Sequence, residues 1–242
     1  MTIHFAAVRR MVHPLWRKMI NKWMQSQIRR WLSLIEATVN DPMLDPNFRR
    51  WFGRSRVVDA AGRPLPVYHG TQDDIRVFGN TDDIPDRGGL IAFFSTSPEF
   101  ASNYATGGVG ANVLKVYLHI ERPFDYRKHA HEAHDFWEET GGIGDKWESN
   151  RILMGLGHQI DNIDDRDTPD LTEEEFAEAV GNGSWDALES PEFVHYLRQA
   201  GYDGIITLEN NAINFGIFEP TQVKSVFARN FAADRDDISE AV

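Results

Sequence analysis

With 242 residues, 41% of them hydrophobic and 12% aromatic, the chain can build one domain with attachments or two small ones, and global disorder is excluded. The absence of cysteine excludes disulfides, thiolate metal sites and a cysteine nucleophile. The net charge of −12 is unevenly divided: residues 1–56 carry eleven basic and three acidic residues (+8), and residues 57–242 carry fourteen and thirty-four (−20). An acidic body repels a phosphate backbone, so non-specific nucleic-acid binding is not expected of it. No apolar run approaches the roughly 20 residues of a bilayer span. Met1 to Ala7 lacks the cationic lead and apolar centre of a secretory signal, so the expected location is the cytoplasm.

The chain opens with a helical pattern from Val12 to Ala37. Trp16, Ile20, Trp23, Trp31 and Ile35 fall near one face, with Arg17, Lys18, Lys22, Arg29 and Arg30 between them. Such a basic amphipathic helix suits a membrane surface or a protein partner, although packing on its own domain is the commoner use. Asp41-Pro42 to Asp45-Pro46 reads as a linker. The expected organisation is a helical leader and linker over 1–44, a main domain over 45–231 and an acidic, frayed tail over 232–242.

Phe48 to Gly53 reads as a short helix closed by glycine. Val57 to His69 reads as strand, turn, strand, and Leu90 to Thr96 as a second buried strand. Ser97-Pro98-Glu99 opens a helix expected to carry Phe100, Ala101 and Tyr104. Val113 to Ile120 alternates as a strand does. From Asp125 to Asp170 the pattern is polar. His129, His131 and His134 lie there at a metal-ligand spacing, but a solvated helix face is the preferred reading and no metal is expected. Thr172 to Glu175 is a capping box, Ser190 to Gln199 a further helix, Tyr202 to Leu208 a turn into a strand, and Asn214 to Phe218 the last clear strand. The fold class is α+β, with the strands returning to one compact sheet.

Three segments carry chemistry: Tyr68-His69-Gly70-Thr71, Phe93-Phe94-Ser95-Thr96-Ser97 running on to Tyr104, and Asn214 to Val223. A strand delivering His-Gly-Thr at its end holds an imidazole, a bare backbone and a hydroxyl together, and a glycine there lets a ligand approach the main chain. In this order the segments resemble the ADP-ribosyltransferase superfamily of the diphtheria-toxin and poly(ADP-ribose) polymerase type. The chain is especially similar to the ADP-ribosyltransferase domains of phage and mobile-element polyvalent proteins. Phe48 to Gly53, Ala200-Gly201-Tyr202-Asp203-Gly204-Ile205 and Phe218-Glu219-Pro220-Thr221-Gln222-Val223-Lys224-Ser225 belong to the same likeness.

That resemblance implies split mixed or antiparallel sheets with flanking helices, NAD⁺ as substrate and no metal. It implies that His69 hydrogen-bonds a ribose, that Gly70 offers backbone atoms to the nicotinamide carboxamide, and that Tyr104 stacks on the nicotinamide with Phe93 facing it. Thr71, Phe94 and Ser95 complete the expected NAD⁺ pocket. The family's acid falls at Asn214, an amide, which leaves Glu209 and Glu219 as further candidates beside it. The implied function is NAD⁺-dependent mono-ADP-ribosyl transfer to a macromolecular acceptor, more readily protein than nucleic acid, by an effector acting in a host cytoplasm. The alternatives are a catalytically weak or dead NAD⁺-binding module, which Asn214 favours, and an RNA 2′-phosphotransferase-like enzyme.

Overall fold

A computed structural model describes residues 41–78, 91–108, 110–228, 231–232 and 234–238. The 12–37 helix expected from the sequence lies outside them. The chain divides into two units, Met1–Asp45 and Pro46–Val242. Of the first, the described part is a single 3₁₀ turn, Pro42–Leu44, capped where the Asp41 carboxylate accepts the Met43 N–H at 2.9 Å.

The second unit is α+β. Helix α1 (Pro46–Phe52) is followed by strands β1 (Val67–Thr71) and β2 (Ala92–Ser95), helix α2 (Pro98–Ser102), and strands β3 (Asn112–Leu118) and β4 (Pro123–Asp125). Helices α3 (Tyr126–His129), α4 (Glu132–Thr140), α5 (Lys146–Gly155), α6 (Glu173–Gly181), α7 (Trp185–Leu188) and α8 (Pro191–Gln199) come next. Strands β5 (Gly204–Glu209), β6 (Ala212–Ile217) and β7 (Val223–Ser225) close the chain. The seven strands form one mixed sheet in the order β4-β5-β6-β2-β1-β3-β7, in which only β4 and β5 run parallel.

The sheet is continuous but nearly divided. β1 pairs with β3 from Val67 to Thr71, and β2 with β6 from Ala92 to Ser95, whereas β1 meets β2 only where Tyr68 lies opposite Ser95. Because side chains alternate along a strand, each face has its own core. Phe93 and Ile205 point into the helical core around Phe136, Phe176 and Phe193. Val67, Phe94, Val116, Phe215 and Ile217 pack on the other side with Val57, Phe78 and Ile238.

Local chemistry explains most boundaries. The Ser97 hydroxyl accepts the Phe100 N–H at 3.0 Å, and Thr172 and Glu175 close a reciprocal box. Asn210 and Asn211, at φ 48° and 64°, make the left-handed two-residue turn that joins β5 to β6. Several expectations are corrected. The first strand of the Val57–His69 region is only a bridge between Val58 and Pro64, because Asp59 folds the chain back by accepting the Ala61 and Arg63 N–H groups. Tyr104 lies in the turn after α2, not on it. The fraying expected of the tail does not reach Ile238, which is buried: its N–H donates to the Arg76 carbonyl and its carbonyl accepts the Ser225 N–H, both at 2.9 Å. The buried Lys224 ammonium donates to the Arg235 carbonyl at 2.6 Å.

Two motif residues bind the strand ends together. The Asp203 carboxylate accepts the Glu121 N–H at 2.7 Å and the Arg122 N–H at 2.8 Å. The Gln222 side-chain oxygen accepts the Phe218 and Glu219 N–H groups, and its NH₂ donates to the His119 and Asp203 carbonyls. Gln222→Ala leaves those four backbone groups without partners. Only some of the four are fully buried and the others can turn to water, so at about 1 kcal/mol or more for each buried orphan the expected cost is about 2–4 kcal/mol, read as a lower urea midpoint at unchanged slope.

Candidate active site

A cavity of about 400 Å³ opens where β1 and β2 part. It is lined by Tyr68, His69 and Gly70 of β1, Phe93, Phe94 and Ser95 of β2, Phe100 and Ala101 of α2, and Tyr104. Trp185, Glu189, Glu209 and Asn214 complete the wall.

Strand alternation would turn His69 to the face opposite Tyr68 and Gly70. It reaches the cavity because the strands separate just beyond Tyr68 and Ser95, and its ring occupies the gap. Nδ1 donates to the Phe93 carbonyl at 2.7 Å, and the ring is wedged between Phe78 and Phe94, with centroids at 4.8 and 5.3 Å. A carbonyl can only accept, so Nδ1 carries the proton and Nε2 of the neutral ring is an acceptor. Burial holds the imidazole below its ordinary pKa, outweighing the opposing effect of the Phe93 carbonyl. The residue is therefore a fixed hydrogen-bond acceptor at neutral pH, suited to a hydroxyl.

Gly70 is required by the chain itself. A Cβ there would lie 1.7 Å from the Ala101 carbonyl oxygen, so the bare backbone expected to admit a ligand is what lets α2 press onto β1. Gly216 does the same for an aromatic wall: its missing Cβ makes room for the Phe93 ring. That ring meets Trp185 edge-on, at 4.5 Å and 84°. Tyr104, 54% exposed at the mouth, packs on Phe100 at 5.7 Å. Burial and then the nearby Glu209 charge raise its phenol above the ordinary pKa, so it remains neutral.

The polar floor is a row across the sheet, where Tyr68 faces Ser95, Ser95 faces Asn214 and Asn214 faces Thr207. Asn214 is 2% exposed, and neither its amide nitrogen nor its oxygen has a hydrogen-bond partner; the Thr207 hydroxyl is equally unpartnered. Buried polar groups are nearly always satisfied, and each orphan costs about 1–3 kcal/mol. An amide that both donates and accepts at a cavity wall is therefore matched to a polar ligand.

Of the residues expected at the site, His69, Gly70, Phe93, Phe94, Ser95, Tyr104, Glu209 and Asn214 line this cavity, and two do not. The Thr71 hydroxyl is used in its own turn, donating to the Asp73 carbonyl and accepting the Asp73 N–H. Glu219 pairs with Arg198 at 2.9 Å and lines a separate depression with His119 and Asp203. Of the histidines at a metal-ligand spacing, His129 accepts the Asp125 N–H at 3.0 Å and His134 pairs with Glu173 at 2.7 Å. No group of three or more potential ligands could hold a metal among the described residues. Trp185 and Glu189 leave no signal in the sequence, since α7 is a single turn too short to show a period and only tertiary packing brings it to the cavity.

A family model described as ADP-Ribosyltransferase in polyvalent proteins matches residues 59–233. The chain belongs to this family. Its members use NAD⁺ as substrate, and the lining of this ADP-ribosyltransferase domain suits that molecule, with aromatic faces for a flat cationic ring and polar groups for ribose hydroxyls. No curated protein matches the chain. A similar solved structure is described as the crystal structure of an anti-CRISPR protein. It is 13% identical, with 64% of this chain and 90% of that chain covered and a TM-score of 0.31.

Gly70→Ala tests the scaffold. With a backbone oxygen 1.7 Å from the new methyl, α2 must move. Overpacking typically costs about 1–3 kcal/mol, and a clash with main chain lies at or above the upper end. The expected result is a fall in thermal midpoint with loss of ligand binding, measured by melting in the presence and absence of NAD⁺.

Proposed function

We propose that the domain transfers a single ADP-ribosyl group from NAD⁺ to a macromolecular acceptor, a protein rather than a nucleic acid, as an effector carried by a phage or mobile element and acting in the host cytoplasm. One observation supports this reading above the others: a single cavity collects His69, Tyr104, Glu209 and the unpartnered Asn214 from four separate segments. Residues 1–44 are proposed as a separate leader that meets a membrane surface or a protein partner.

The nicotinamide of NAD⁺ leaves as a neutral molecule, so the chemistry needs stabilisation of positive charge growing on the ribose rather than a strong acid. The Tyr104 ring at the mouth supplies an aromatic face to the cationic ring, and the His69 Nε2 accepts from a ribose hydroxyl. Asn214 orients a second hydroxyl through its free amide. Glu209, at the end of β5 beside Tyr104, supplies the negative charge that an amide cannot. This division follows from burial: Asn214 sits among Ser95 and Thr207, and a carboxylate there would be a desolvated charge with no cation beside it among the described lining.

Tyr104→Ala is expected to weaken NAD⁺ binding by about 1–2 kcal/mol, seen by calorimetry, and to leave the fold intact because the side chain is half exposed.

The decisive experiment follows nicotinamide release and the transfer of labelled ADP-ribose into a host lysate. Glu209→Gln should slow release about 10²-fold. Asn214→Glu should not accelerate it, since it adds a further like charge to a cavity that already holds Glu209. Glu219→Gln should leave the rate unchanged. If Asn214→Glu accelerates and Glu209→Gln does nothing, the charge belongs at position 214 instead. If the native chain neither binds nor cleaves NAD⁺, the reading fails.

A further inference from the structure

The cavity has two carboxylates among its described lining residues, and the proposed reaction has used only Glu209. Glu189 is the other. It follows the last turn of α7, where its N–H donates to the Trp185 carbonyl at 2.9 Å, so that Trp185 and Glu189 form one wall of the cavity. Its carboxylate makes no hydrogen bond and no ion pair among the described residues. The cation whose charge acts on it, Arg151 on α5, is engaged elsewhere: it pairs with Asp186 and, at 3.5 Å, with Glu148, and its guanidinium lies 4.8 Å from the Trp147 ring. A half-buried carboxylate that faces an open cavity without a partner is an unusual expense for a fold, and it is placed to receive a proton.

We propose that Glu189 is the general base for the incoming nucleophile, and that the acceptor is therefore a group with a proton to lose, such as a hydroxyl, an amide or a guanidine nitrogen, rather than a carboxylate. The inference rests on the transferase reading above. In the step, the bond between the ribose carbon and the nicotinamide nitrogen breaks, and its electron pair leaves with the neutral nicotinamide. The acceptor atom forms the new bond to the same carbon, and its proton passes to the Glu189 carboxylate. Charge balances, because the positive charge of the nicotinamide ring becomes the proton held on Glu189.

The surroundings suit this role. Burial pushes the Glu189 carboxyl up to about 7, with Asp186 and Glu148 adding to the rise and Arg151 opposing it. A base works best when its pKa lies near the operating pH. Glu189 acts only when deprotonated, so the rate should climb as pH rises through about 7 and then level off. Below that pH the protonated carboxyl has the shape and neutrality of an amide, which makes Glu189→Gln a mild change to the fold.

The test uses the full chain and NAD⁺ alone, with water as the nucleophile and nicotinamide release as the readout, across pH 5 to 9. Azide is the diagnostic addition, because it attacks without losing a proton. Glu189→Gln is expected to slow release about 10²-fold at pH 8, to abolish the rise near pH 7 and to regain most of the rate in azide, with ADP-ribosyl azide as product. Glu189→Asp should keep a pH-dependent rise at a reduced rate. Glu209→Gln should not respond to azide, since its loss is of charge stabilisation. If Glu189→Gln keeps the native rate and pH profile, the inference is overturned and the transferase reading stands. Slow release that azide does not restore, together with weakened NAD⁺ binding, assigns Glu189 to positioning and also overturns it. A native chain that releases no nicotinamide overturns the underlying reading, and this inference with it.

Discussion

The site depends on the seam between β1 and β2. Adjacent antiparallel strands normally satisfy each other's N–H and carbonyl groups along their length. Here they touch at one pair, Tyr68 and Ser95, and then separate. The His69 imidazole closes part of the opening by donating to the Phe93 carbonyl. That single bond does several jobs: it satisfies a strand carbonyl, fixes the tautomer, and turns a residue that alternation assigns to the far face toward the cavity. The seam stays open because both halves are anchored elsewhere, β1 on β3 and β2 on β6, and because α2 presses on β1 at Gly70.

The residues that carried the family likeness divide into those that touch the cavity and those that hold it open. Tyr68, His69 and Gly70 belong to the first group. Asp203 and Gln222 belong to the second, since their side chains satisfy backbone groups from the β3–β4 connection, the start of β5 and the end of β6. A motif of this second kind recurs for a physical reason, namely that few side chains can bridge two donors and two acceptors at once. It marks the scaffold and says nothing about substrate. Glu219 illustrates the hazard: an acid inside a recognisable motif, it faces Arg198 and a different depression.

How far the sequence could be read follows from the range of the interactions involved. Local signals were legible, because capping and turn chemistry act over three or four residues: Ser97, the Thr172–Glu175 box and the glycine after α1 all fall where the pattern expects them. The α+β class followed from the order of the strand and helix patterns, whereas the expectation that His69 and Tyr104 share one cavity came from the ordered likeness of whole segments. What could not be read depends on long-range packing. The α4–α8 region is polar in sequence, since each helix offers only a narrow apolar stripe to a shared core, and so the arrival of Trp185 and Glu189 at the cavity left no periodic trace. Ile238 was hidden for a related reason: a lone apolar residue in an acidic tail has no period, yet one buried side chain and two backbone bonds are enough to dock the segment.

Replacement of an expected acid by Asn214 is better understood from the row it belongs to than from the residue alone. Ser95, Asn214 and Thr207 lie side by side across β2, β6 and β5, all nearly inaccessible, and together they form a polar strip on the sheet face that carries Phe93 and Ile205. A carboxylate in that strip would be desolvated with no cation to offset it among the described lining residues, whereas an amide loses less on burial and can both donate and accept. The negative charge is then more cheaply held at the ends of the elements that line the cavity. Glu209 is at the last position of β5, just before the left-handed Asn210-Asn211 turn, and Glu189, whose carboxyl burial raises to about 7, is just past the end of α7. Division of the site into a neutral floor and a rim that bears the carboxylates follows from the cost of burying charge. Under the proposed reading, hydroxyl orientation belongs to the floor, and charge stabilisation and proton transfer to the rim.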